Sequence, residues 1–121
     1  MGKHIMVADD EEGLVETVRL RLEANGYQVS TTMGAKTIED VRELKPDLLL
    51  LDVMMPGMDG FAIMRELKRD PDFAQIPVIV FSAKPKAALM ELFGPEGIAG
   101  YLSKPYDPKE MLALIKKTLG V

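Results

Sequence analysis

Apolar residues fall along this chain in two rhythms. Short runs suited to buried strands alternate with longer stretches in which apolar residues recur at three and four positions, the spacing of one helix face. This alternation predicts an α/β architecture. The strand candidates are Ile5 to Ala8, Tyr27 to Thr31, Asp47 to Leu51, Val78 to Phe81 and Gly100 to Leu102, each bounded by turn or breaker residues. Leu48 to Leu51 is unbroken by polar residues, the pattern of a central parallel strand covered on both faces. A first helix is expected from about Glu11 to Asn25. Leu14, Val15, Val18 and Leu22 share one face, Glu11 and Glu12 suit its positive end, and Asn25-Gly26 stops it. A second helix carries Ile38, Val41 and Leu44 and halts at Pro46; a third carries Phe61, Met64 and Leu67 and halts before Pro71. Between Ser82 and Gly100, Pro85 and the Gly94-Pro95-Glu96-Gly97 run leave room for a short helix only. The last helix opens on Asp107-Pro108-Lys109-Glu110, where Asp can cap, Pro fits the first helical position and Glu can reach back. Met111, Leu112, Ile115 and Leu119 form its apolar face.

Length narrows this to one domain over residues 1–121, large enough to bury a core without disulfide or metal staples, with no repeat, low-complexity segment or linker. Hydrophobic residues at 47% and charged residues at 28% are the balance of a folded globular chain. A net charge of −4 repels phosphate backbones and anionic lipid, so direct nucleic-acid binding is not expected. With no cysteine there is no disulfide or thiol chemistry, and the cytoplasm is the expected compartment. Ile5 to Ala8 is too short for a signal-peptide core or a membrane span, and Met6 stands where myristoylation wants Ser or Thr.

Ligand sites of parallel α/β sheets lie outside the carboxyl ends of the strands. The first strand runs into Asp9 and Asp10, the third into Asp52, the fourth into Ser82, and the fifth into Ser103 and Lys104-Pro105; the second alone ends without evident chemistry. Carboxylates converging there repel one another unless a cation joins them. Mg2+ fits, since it takes oxygen ligands and is commonly held by one or two carboxylates plus a substrate phosphate. With such an ion and the Lys104 ammonium neutralising phosphate oxygens, the Asp52 carboxylate can act as a nucleophile on phosphorus. The Ser82 hydroxyl can hydrogen-bond a phosphoryl oxygen.

In this order and spacing, Asp9-Asp10, the run Leu51-Asp52-Val53-Met54-Met55-Pro56-Gly57-Met58-Asp59-Gly60, Ser82-Ala83 and Lys104-Pro105 resemble the receiver domains of two-component response regulators, over nearly the whole chain. The resemblance implies a flavodoxin-like, doubly wound, five-stranded parallel sheet of order 2-1-3-4-5 with five helices, two on one face and three on the other. It implies that Asp52 is the phosphoacceptor, that Asp10 ligates Mg2+ directly and Asp9 largely through water, and that Met54 contributes its backbone carbonyl. Lys104 then pairs with phosphate, Ser82 is the hydroxyl switch, Tyr101 is the aromatic that turns inward with it, and the Lys104-Pro105 bond is cis. The implied donor is a sensor histidine kinase, a phosphotransfer protein or an acyl phosphate. The implied output is altered affinity for a protein target through the fourth helix, fifth strand and fifth helix, in a monomer or a phosphorylation-dependent dimer. Such a chain is a regulatory phosphoacceptor rather than an enzyme acting on external substrates. Met54 and Lys84 stand where relatives often carry polar or acidic groups that orient hydrolytic water, so a long-lived phosphoaspartate is expected. Gly94 to Gly97 replaces the usual ending of the fourth helix.

Blander readings exist for each residue taken alone. Asp9-Asp10 could cap the first helix, Lys104 could be a solvated surface lysine, Tyr101 an edge-strand aromatic, and Asp59 with Gly60 serves a turn. His4, the only histidine, has no carboxylate neighbour in sequence and is expected to be inert, so the phosphoryl group must come from outside. The nine methionines are mostly core filler, although Met54, Met55 and Met58 fall in the loop after Asp52. A Mg2+-dependent phosphohydrolase would need a second acid-base carboxylate and a covering element, which the sequence lacks. A pseudo-receiver would have no reason to keep Asp9, Asp10, Asp52, Ser82 and Lys104 together, and a flavin phosphate would be repelled by Asp9-Asp10-Glu11-Glu12.

Overall fold

The computed structural model describes residues 2–53, 60–83, 85–93 and 98–120, with backbone alone for Lys86, Leu92 and Phe93. Strands and helices alternate: β1 His4–Ala8, α1 Glu12–Ala24, β2 Gln28–Thr32, α2 Lys36–Leu44, β3 Leu48–Asp52, α3 Gly60–Arg69, β4 Val78–Ser82, α4 Lys86–Phe93, β5 Ile98–Ser103 and α5 Pro108–Leu119. The strands form one parallel sheet of order β2-β1-β3-β4-β5. All strands therefore end on the same edge.

The central position of β3 explains its composition. Every residue of Leu48–Asp52 is buried, and successive side chains leave opposite faces of the sheet. Leu49 and Leu51 pack with Ile38 and Val41 of α2, Ile63, Met64 and Leu67 of α3 and Leu89 of α4. Leu48 and Leu50 pack with Val18 and Leu22 of α1 and Met111 and Ile115 of α5. The sheet thus lies between two apolar layers, with two helices on one face and three on the other, as the resemblance implies.

Helix ends follow the local chemistry. Gly26 takes a left-handed φ of 89° just past α1, and Lys45 does so at 47° between α2 and Pro46. Asp107 caps α5 by accepting a hydrogen bond from the Lys109 amide at 3.0 Å, with Pro108 at the first helical position. Strand ends depart from the apolar pattern. β2, β3, β4 and β5 extend through Thr32, Asp52, Ser82 and Ser103, because ladder pairing continues beyond the last apolar residue: Asp52 registers with Phe81 and Ser82 with Ser103. β5 also begins earlier than expected, at Ile98, across a register irregularity opposite Val78 and Ile79. Tyr27 is not in β2; its amide bonds to the Leu22 carbonyl while its ring is buried under α1.

Candidate functional site

The carboxyl edge of the sheet gathers the polar residues that the apolar runs lead into. Asp9 follows β1 and Asp52 ends β3, and burial leaves them only 2% and 3% exposed. Asp10 is the more exposed neighbour. One carboxylate oxygen from each of Asp9, Asp10 and Asp52 lies within 4.8 Å of the others. Ser82, the last residue of β4, is fully buried, and its carbonyl accepts a 2.8 Å hydrogen bond from the Lys104 amide. That bond ties the exit of β5 to the end of β4. The Lys104-Pro105 peptide is cis, as expected.

Lys104 reaches back over this edge. Its Nζ is 2.9 Å from Asp9 Oδ2, 3.3 Å from Asp52 Oδ2 and 3.1 Å from Glu11 Oε1, and it stands 5.2 Å from the centre of the Phe81 ring. Burial pulls the ammonium's pKa down, but contacts with Asp9 and Glu11 and the charges of Asp52 and Asp9 outweigh it, so the group is held above the ordinary lysine value. One cation serves several carboxylates, and negative charge remains in surplus.

Asp9 has two duties. Its Oδ1 accepts a 3.0 Å hydrogen bond from the Glu11 amide, holding the start of α1. Its Oδ2 lies at ion-pair distance from Lys104 but off the line of a hydrogen bond, leaving a buried oxygen with no hydrogen-bond partner. A buried, ion-paired carboxylate oxygen beside two further carboxylates belongs to a hard donor set, and that set fits a small divalent cation. The contact with the Glu11 amide and a metal-binding role for Asp9 are therefore compatible.

Tyr101 is half-buried and packs on the face that carries α2, α3 and α4. His4 donates its amide to Asp47 Oδ2 at 2.8 Å, and its Nε2 lies 2.7 Å from Ser30 Oγ, at the amino end of the sheet and away from Asp9, Asp10 and Asp52. Met54, Met55, Met58, Asp59, Lys84 and Gly94 to Gly97 lie outside the described residues.

Three features escape sequence reasoning. Glu11, expected only to complement the helix end, turns to Lys104, a residue 93 positions away. Phe81, an ordinary apolar strand residue in sequence, supplies a ring beneath the ammonium. The end of β2 does carry polar chemistry: Thr32 Oγ1 donates to Asp40 Oδ2 at 2.7 Å beside a cavity of about 620 Å³ lined in part by Asp9, Glu12, Thr31 and Lys36. The Thr31-Thr32 pair was the available signal. The other two depend on chain crossings that no local pattern encodes.

The profile of the response regulator receiver domain matches residues 5–116. The chain belongs to this family. Among its relatives, the DNA-binding response regulator MtrA of Mycolicibacterium paratuberculosis is 34% identical over 98% of this chain and 52% of its own length. The response regulator PleD of Caulobacter vibrioides is 39% identical over 96% of this chain and 26% of its own. This receiver domain thus spans about half, or less, of the length of the curated relatives it matches. The fold is shared with the receiver domain of a Pseudomonas aeruginosa sensor histidine kinase, described with a magnesium ion coordinated in its active site cleft: TM-score 0.89, 21% identity, all of both chains covered. Among the described residues, no helix of the receiver domain is long and apolar enough to cross a membrane.

Proposed function

We propose that this receiver domain accepts a phosphoryl group on Asp52 and uses the modification to change its affinity for a protein partner. The observation that carries the reading is the Asp52 carboxylate itself: 3% exposed, 3.3 Å from the Lys104 ammonium, and clustered with Asp9 and Asp10. Asp9, Asp10, Asp52 and the Met54 backbone carbonyl would hold Mg2+, and the magnesium described in the Pseudomonas receiver domain supports that assignment. When bound, the ion supplies neutralisation of phosphoryl oxygens and alignment of the reacting groups.

The chain's own residues do the rest. An Asp52 oxygen forms a bond to phosphorus while the bond from phosphorus to the donor breaks, and the electron pair leaves with the donor nitrogen or acyl oxygen. Lys104 moves its charge from the carboxylates to a phosphoryl oxygen, and the Ser82 hydroxyl donates to another. Half-buried Tyr101 then turns inward on β5 and alters the surface formed by α4, β5 and α5, where Met90 of α4 is 51% exposed. The donor is a sensor histidine kinase, a phosphotransfer protein or an acyl phosphate, and the setting is the cytoplasm. DNA contact, where a regulator of this kind makes it, belongs outside this acidic domain, which carries −4.

The test is incubation with acetyl phosphate and Mg2+ followed by intact mass. Wild type gains one phosphoryl group and Asp52→Ala gains none. Equal labelling of both would overturn the assignment, and steady release of phosphate from many substrates would favour a hydrolase.

A further inference from the structure

We propose that Glu11 is a positioning residue that competes with the phosphoryl acceptor for Lys104, so that the ammonium must leave Glu11 before it can pair fully with the modified Asp52. The proposal rests on the phosphoacceptor reading of Asp52.

Glu11 stands where a helix cap would stand, yet it does not cap. It adopts an extended backbone, φ −85° and ψ 98°, immediately before α1, and its side chain makes no capping hydrogen bond. Its amide is fastened to Asp9 Oδ1, which fixes the residue at the rim of the carboxylate cluster. From there Oε1 accepts a 3.1 Å hydrogen bond from Lys104 Nζ. The ammonium donates a second to Asp52 Oδ2 at 3.3 Å, whereas its closer approach to Asp9 is not aligned for one.

Glu11 differs from the other partners of Lys104 in where it sits. Asp9 and Asp52 are buried and belong to the triplet of carboxylates suited to a cation; the Glu11 side chain is 62% exposed and, among the described residues, outside that triplet. A cation that neutralises the triplet weakens the hold of Asp9 and Asp52 on the ammonium and leaves Glu11 as its remaining anionic partner among the described residues. A phosphoryl oxygen must then win Lys104 from Glu11, and the Glu11 carboxylate also repels the incoming dianion. Both effects slow phosphorylation. An exposed ion pair is weak, so the restraint is expected to be modest.

Glu12 provides the control. It adjoins Glu11 and is exposed, but it lines the cavity shared with Asp9, Val15, Thr31 and Asp40 and makes no ion pair with Lys104. Glu12→Gln changes the net charge as Glu11→Gln does while leaving the Lys104 contact in place. At fixed Mg2+ and acetyl phosphate, Glu11→Gln is expected to label Asp52 about threefold faster than wild type, the scale of one exposed ion pair. Glu12→Gln is expected to stay near the wild-type rate, and Glu11→Asp, which keeps the charge, to fall between wild type and Glu11→Gln. Without Mg2+ or donor, the 15N resonance of the Lys104 ammonium should move in Glu11→Gln and not in Glu12→Gln. Equal rates for the two Gln variants, slower labelling of Glu11→Gln, or an unmoved ammonium resonance would each overturn the proposal. Failure of the phosphoacceptor reading shows separately, as label retained by Asp52→Ala.

Discussion

Lys104 is the residue on which the electrostatics of the edge turn. Within hydrogen-bond or ion-pair distance it meets three carboxylates on two other parts of the chain, and two of those are almost fully buried. Its raised pKa gives a testable sign. A cation whose folded pKa exceeds its unfolded value contributes stability that is complete below the unfolded value and disappears as pH rises through the folded one. Wild type should therefore be more stable than Lys104→Gln at neutral pH, with the gap closing above about pH 10, where free lysine begins to lose its proton. Urea midpoints taken across the alkaline range measure this. A gap that widened with pH would mean that Lys104 is not stabilised as a cation. The same residue shows how a neighbourhood can go unread: Lys104 and Asp52 are both marked by short motifs, but Glu11 and Phe81 join them only because the exit of β5 lies beside the ends of β4 and β1.

At the scale of elements, strand interiors are legible and strand ends are not. Leu48 to Leu51 reads as a buried strand because a residue buried on either face must be apolar, whichever way it points. The last residues of β3, β4 and β5 obey a different rule. Asp52, Ser82 and Ser103 stay in the ladder through backbone pairing although their side chains are polar, so hydrophobicity ends one residue before each strand does. The approach of α3 to the end of β3 is equally constrained. A Cβ on Gly60 would lie 2.5 Å from Val53 Cα and 3.1 Å from the Asp52 carbonyl oxygen, and backbone atoms cannot swing aside. Gly60→Ala should cost roughly 1–3 kcal/mol in urea unfolding, because α3 must shift off the end of β3. Gly100→Ala is the contrast: its Cβ would meet the Leu114 methyl groups at 2.9 Å, and a leucine side chain can rotate. An equal or larger loss at Gly100 would show that the approach of α3 to Asp52 is looser than its geometry indicates.

The whole molecule combines a core with little charge and an edge with too much. Two apolar layers hold the sheet rigid, and that rigidity keeps carboxylates together that would separate if free to move. A divalent cation should then stabilise the folded state by mass action, since the unfolded chain cannot assemble the same donors. At a hundredfold excess over the dissociation constant the gain is about 2.7 kcal/mol. In a domain of this size, that corresponds to a rise of about 10 °C or more in Tm. Thermal unfolding with and without Mg2+ measures it, and Asp10→Ala should abolish most of the rise. A rise unchanged in Asp10→Ala would place the cation elsewhere.

The amino-acid sequence by itself determined the alternation of strands and helices, the central place of β3, the helix stops at Gly26 and Pro46, and which polar residues gather at the carboxyl edge. These are local properties, set by burial periodicity, backbone preferences and short motifs. Only the tertiary structure decided the distances at the sheet edge, the double duty of Asp9, the turn of Glu11 toward Lys104 and the pairing of Thr32 with Asp40. Those depend on which chain segments meet, and a contact between residues 93 positions apart follows from sheet order rather than from any neighbouring residue.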